Sequence, residues 1–236
     1  MPLRTRLADR LAAVEARIEA ACRRSGRARA EVALVAVTKT ASVEAALAIH
    51  ELGVGNLGEN RPQELWKKAA QLPGAIRWHL IGHLQRNKIE RTLPLVCRIH
   101  SVDSVRLLEA LEVEAARTRR PVDVLLEINA SREVSKHGFA ANELPAVVPH
   151  LEKLRHVRVS GLMTMAAYEE DPERCRPTFA ALRNQRDWLR GQLGAAHPID
   201  DLSMGMTNDF EVAIEEGATL VRIGSALFGN DRVNGP

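Results

Sequence analysis

The chain has 236 residues, 45% of them apolar and 27% charged, the balance of an ordinary water-soluble globular protein. Its net charge of +3 comes from basic residues scattered among acidic ones, and aromatics make up only 3%, so no nucleic-acid partner is expected. The 3 cysteines (Cys22, Cys97 and Cys175) are far apart with no CxxC pair, which argues against a disulfide framework or zinc site and for a reduced, cytoplasmic setting.

In chain order, Leu7, Leu11, Val14 and Ile18 recur every three or four positions and predict a helix over residues 1–24. Acidic residues among them make this segment too polar for a signal peptide or a membrane span. Apolar runs then alternate with helical patterns. Strands are predicted at 32–38, 56–58, 78–82, 98–102, 123–129, 159–165, 201–205 and 219–225. Between them, Ser42 caps "VEAALAIHEL", Pro62 opens "PQELWKKAAQL" and Asn208 precedes "DFEVAIEE". Strands alternating with helices imply parallel pairing through crossovers. This order predicts one domain over residues 1–236, a closed (β/α)8 TIM barrel with helix 1–24 packed on it. The rival, an open doubly wound sheet, would show a glycine-rich phosphate turn, and no GxGxxG follows "VALVAVT".

Reactive groups in such barrels stand at the C-terminal ends of strands. Those ends carry Lys39, "GEN" at 58–60, His79 and Gly82, Asn129, Met163, "SMGM" at 203–206, and Arg222, Gly224 and Ser225. Strand alternation puts Val221 and Ile223 on the helix-covered face, so Arg222 should point into the barrel, where a guanidinium needs a partner. Lys39 shares the face of Val35 and Val37, which places its amine at the barrel mouth. A lysine partly desolvated there, near another cation, is the kind that forms Schiff bases. The small-residue turns "SMGM" and "RIGS" fall after strands seven and eight, where barrels often cradle a phosphate. A Schiff-base lysine beside a phosphate cup implies an aldehyde that carries a phosphate. Pyridoxal phosphate is the first candidate and a phosphosugar the second.

The motifs "AVTK" at 36–39, "GEN" with "QEL" at 63–65, "WHLIGHLQRNK" at 78–88 and "IN…E..K.G" across 128–138 continue into "GLMTM" at 161–165, "LSMGM..D" at 202–209 and "VRIGSALFG" at 221–229. Over residues 5 to 229 the chain resembles the pyridoxal-phosphate homeostasis proteins of the YggS/PROSC type. The resemblance implies a fold-type III pyridoxal-phosphate barrel, like the N-terminal domain of alanine racemase but without its C-terminal β domain. It implies that Lys39 holds the cofactor and that Arg222 faces the pyridine nitrogen. Ser203, Gly205, Gly224 and Ser225 would hold the phosphate, and Asn60 would lie near the ring, with His79 and Met163 as lining residues. The chain departs from the family pattern at Arg61-Pro62, Thr207 and Phe210, which affects local contacts. No role for "WHLIGHLQRNK" is evident from the residues, and His79 and His83 lack a third ligand at metal-like spacing.

Two functions compete at this stage. One is a non-catalytic carrier in pyridoxal phosphate homeostasis, with apo-enzymes as partners, no membrane or nucleic-acid partner, and a monomeric state. The other is a racemase-like enzyme. An arginine at the pyridine nitrogen and the absence of a second positioned proton donor favour the carrier. Tyr168 is the sole tyrosine and reads as part of an acidic surface loop. A third reading, a phosphosugar aldolase, would need a carboxylate base beside Lys39, and Glu127 is the residue to examine.

Overall fold

The structure, a computed structural model, describes residues 1–130 and 138–229. Part of the 128–138 motif therefore lies outside the described residues. Eight parallel strands close a barrel: β1 (Ala33–Val37), β2 (Asn56–Glu59), β3 (Arg77–Leu80), β4 (Val96–Val102), β5 (Val122–Asn129), β7 (Val157–Met163), β8 (Asp201–Ser203) and β9 (Leu220–Ile223). Closure comes from the β4–β5 and β1–β9 pairings. Each predicted strand is present. The two-residue β6 (Phe139–Ala140), hydrogen-bonded to the end of β5, was too short to show in a periodicity.

The helices are α1 (Leu3–Arg24), α2 (Val43–Glu51), α3 (Pro62–Ala69), α4 (Ile89–Thr92), α5 (Val105–Thr118), α6 (Leu144–Leu151), α7 (Arg176–Gln192), α8 (Phe210–Glu215) and α9 (Ser225–Phe228). Local chemistry sets their starts. The Ser42 hydroxyl accepts the Ala45 N–H, Ser104 accepts the Leu107 N–H, and Pro62 occupies the first position of α3, where its missing N–H costs nothing. At α8 the expectation was off by one residue. Asp209 is the cap, and its Oδ1 accepts the Met206 N–H at 2.6 Å, while Asn208 donates instead to the Glu169 carbonyl.

Strand alternation sorts the apolar residues into two layers. Leu34, Ala36, Val124, Leu126, Val221 and Ile223 join the helices in one continuous core outside the barrel. Val35, Val37, Leu125, Met163 and Leu220 are buried apart from it, inside the barrel. Helix α1 packs against α2, α8 and α9 through Leu7, Val14, Ile18 and Cys22. Its polar side is pinned by the Arg17–Glu211 pair at 2.7 Å and by Arg24–Glu215 at 2.7 Å.

Candidate functional site: the C-terminal mouth of the barrel

The mouth begins where β1 ends. Thr38, buried, donates from Oγ1 to Glu59 Oε1 at 2.7 Å, and Lys39 follows in a turn with its side chain exposed. The partial desolvation expected of Lys39 is therefore not supplied by the protein alone. Directly beneath it, Lys68 of α3 donates to the Thr38 carbonyl and to Glu59 Oε1, both at 2.6 Å. Lys68 and Glu59 are both buried, and the pair ties the ends of β1 and β2 together. The sequence reading missed Lys68. Its signal was a lysine three residues after Leu65, on the buried face of α3.

Asn60, exposed, follows Glu59 and rests on Gly82. A Cβ on Gly82 would lie 2.2 Å from the Asn60 carbonyl and 2.3 Å from its side-chain oxygen, so that position admits only glycine. Ser101 Oγ donates to the Gly82 carbonyl at 2.6 Å and braces the same turn from β4. This gives part of "WHLIGHLQRNK" a physical role: its glycine lets the β3 turn lie flat against Asn60. The next residue, His83, is exposed and sits 3.1 Å from Asp103 on the rim.

Arg222 points into the barrel as alternation predicts and is 4% exposed. Its Nη1 donates to Ser203 Oγ at 2.6 Å and its Nη2 to the Thr164 carbonyl at 2.9 Å. Burial lowers its pKa to about 10, against the opposing charges of Asp209 and Glu127, so it stays cationic at neutral pH. Glu127, buried on β5, thus serves as an interior countercharge to Arg222.

Ser203 and His79 lie deeper than expected. Ser203 is fully buried, and its hydroxyl meets Arg222 on one side and His100 Nδ1 on the other, at 2.8 Å, so it is not presented to solvent. His100 Nε2 lies 2.9 Å from His79 Nδ1, and His79 Nε2 lies 3.2 Å from Asn56 Oδ1. Burial, with the cations of Arg98 and Arg77 behind it, pushes His79 down to about 3, and burial likewise holds His100 well below the usual range. The sequence reading had not singled out His100. A register shift between Ile99 and Val102 turns both His100 and Ser101 into buried polar positions. Met163 is fully buried on the barrel's inner face. No cluster able to hold a metal exists among the described residues.

The remaining expected residues cluster at the ends of β8 and β9. Gly205 has φ +91°, and a Cβ there would lie 2.6 Å from Ala213 and 2.8 Å from Phe210 of α8. Its carbonyl accepts the Arg222 N–H at 3.0 Å, which locks the two loops together. A Cβ on Gly224 would stand 3.2 Å from the Val37 carbonyl, which brings this turn against the end of the lysine strand. Ser225 is exposed. Helix α9 has only 4 residues, and its Ala226 N–H is taken by Thr207 Oγ1 at 3.3 Å. A helix this short brings little dipole, so a phosphate here would depend on the Ser225 hydroxyl and the glycine turns. Of the two departures on this side, Thr207 caps α9 and Phe210 is fully buried, with the Arg17 guanidinium 4.5 Å above its ring.

The alanine racemase N-terminal domain family matches residues 10–232. A pyridoxal phosphate homeostasis protein of Aquifex aeolicus is 41% identical over 94% of this chain and 96% of its own. The chain belongs to the pyridoxal phosphate homeostasis protein family. Its member from Pseudomonas aeruginosa is 39% identical over 94% of this chain and 95% of its own. The structure of PipY from Synechococcus elongatus, solved with pyridoxal phosphate bound, superimposes with a TM-score of 0.82 at 33% identity, covering 94% of this chain and all of that one.

Proposed function

We propose that this protein binds pyridoxal phosphate, holds its aldehyde as a Schiff base on Lys39, and serves as a carrier in pyridoxal phosphate homeostasis in the cytoplasm. The observation that carries the reading is the pairing of an exposed lysine with a buried, inward arginine at one end of the barrel, beside the Gly205 turn that only glycine fits and the closely packed Gly224 turn. The names and the bound cofactor of the relatives point the same way.

The residues present fit the group. Pyridoxal phosphate supplies an aldehyde that condenses with an amine and a ring that withdraws electrons. Lys39 Nζ, in its neutral form, would be the nucleophile that holds the aldehyde, with one water released in the condensation. Arg222 has guanidinium donors beyond the two it gives to Ser203 and Thr164, and these would be offered to the ring nitrogen. A permanently charged donor at that nitrogen disfavours its protonation and weakens the electron withdrawal that turnover uses. Ser225 with the Gly205 and Gly224 turns would hold the phosphate, and Asn60 would line the rim.

A carrier rather than an enzyme is favoured by how the candidate second proton donors among the described residues are placed. Tyr168 is 81% exposed, and His79 and His100 are engaged with each other inside the barrel. The test is solvent-deuterium exchange at the α-carbon of L-alanine and other amino acids by the cofactor-loaded protein. The carrier reading expects no sustained exchange. Lys39-dependent exchange with turnover would establish the racemase-like alternative, to which the alanine racemase family match lends support.

A further inference from the structure

Beneath Arg222 a single file of polar side chains runs from the mouth into the barrel: Ser203, His100, His79, Asn56. Each link is short enough to be a hydrogen bond, and the positions of the protons follow from the chain. Arg222 can only donate, so Ser203 Oγ accepts from it. The Ser203 hydroxyl proton then needs an acceptor, and among the described residues His100 Nδ1 is the one within reach. A neutral His100 must therefore carry its proton on Nε2 and donate to His79 Nδ1. His79 in turn carries its proton on Nε2 and donates to Asn56 Oδ1, with Cys97 Sγ also 3.5 Å from that nitrogen. The reverse direction fails. With every donor turned round, Ser203 would accept from both sides and its own proton would be stranded in a buried site, at a real cost.

We infer that His79 and His100 are positioning residues for Arg222, acting through Ser203: a one-way file of donors keeps the serine lone pairs turned to the guanidinium and so fixes which of its N–H groups face the mouth. Neither imidazole touches the mouth itself. The inference gives His79, expected only to line the site, and His100, which no motif singled out, a defined role: "WHLIGHLQRNK" supplies the first and the irregular stretch of β4 the second. Its consequence for cofactor binding rests on the proposed function, but the file itself does not.

The first test needs no cofactor. In apo-protein labelled with 15N-histidine at neutral pH, both rings should show a protonated Nε2 and a bare Nδ1. A protonated Nδ1 on either ring, or an imidazolium, would overturn the assignment. In apo-protein labelled instead with 15N-arginine, the Arg222 Nη–H resonances should be resolved and slowly exchanging, and should average on either His100→Phe or Ser203→Ala. Resonances already averaged in the wild type, or unaffected by both substitutions, would overturn the positioning role.

The second test is a double-mutant cycle on pyridoxal phosphate affinity. Each substitution should weaken binding roughly tenfold, about one charge-assisted hydrogen bond, and shift the visible band. Both together should cost no more than either alone, because they cut the same file. Additive losses that track the melting temperature, with an unmoved band, would mean that the histidines only support the fold. Should the wild type bind no pyridoxal phosphate, the proposed function fails, while the two resonance measurements still decide the role of the histidines.

Discussion

Gly82 has no side chain because Asn60 fills the space that one would need. Gly82→Ala should therefore push the Asn60 turn outward, costing about 1–3 kcal/mol of stability and weakening ligand binding at the mouth. Denaturant unfolding beside a pyridoxal phosphate titration measures both. A similar argument holds deeper in the barrel, where a Cβ on Gly161 would lie 1.9 Å from the Asp201 carbonyl across the β7–β8 pairing. Gly161→Ala should be at least as damaging to stability, yet it lies below the mouth and should spare affinity in whatever protein folds. Arg222 was legible from its strand alone, because a charge in phase with apolar neighbours can only be interior. The direction of the Ser203 hydroxyl was not legible. Alternation turns Ser203 inward but says nothing of a histidine that approaches from β4 across the barrel.

At the scale of elements, the Lys68–Glu59 pair joins α3 to β1 and β2 just behind Lys39. A buried ion pair adds little net stability, but removing one partner strands the other. Lys68→Met should cost about 3–5 kcal/mol by that rule, and Lys68→Met with Glu59→Leu should recover most of it. Thermal unfolding of the single and double variants separates these outcomes. If the pair positions the lysine turn, the double variant should regain stability while still binding pyridoxal phosphate more weakly. The strands and most helix starts were readable because periodicity and caps are local properties. The α8 cap was misread because Asn208 and Asp209 are both good capping residues, and the choice depends on the Met206 N–H held from the preceding loop. β6 and the irregularity in β4 come from pairing with distant strands and leave no local trace.

Taken whole, the barrel interior is stacked in layers, as barrels of this kind are. Arg98, Asp123, Asp201 and Arg158 form ion pairs at the N-terminal end. The two histidines and Ser203 come next, and Arg222 with Glu127 lies below the mouth. The middle layer makes stability depend on pH. His79 is held down to about 3 in the folded state and His100 is also depressed, while unfolded histidine titrates near 6.5. The unfolded chain therefore binds more protons between these values, so this contribution is complete above about pH 6.5 and is lost as pH falls toward 3. The melting temperature should decline from about pH 6.5 downward, before most carboxylates titrate. His100→Phe should flatten that decline, and an equally steep decline in the variant would count against the assignment.

The central claim is that Lys39 holds the cofactor, and reduction tests it most directly. Protein incubated with pyridoxal phosphate should be treated with borohydride, digested and mapped by mass spectrometry. The account predicts the reduced cofactor mass on the peptide containing Lys39, and its loss, with the visible band, in Lys39→Ala. A label on another lysine, such as Lys67 or Lys88, with Lys39 unmodified would contradict it.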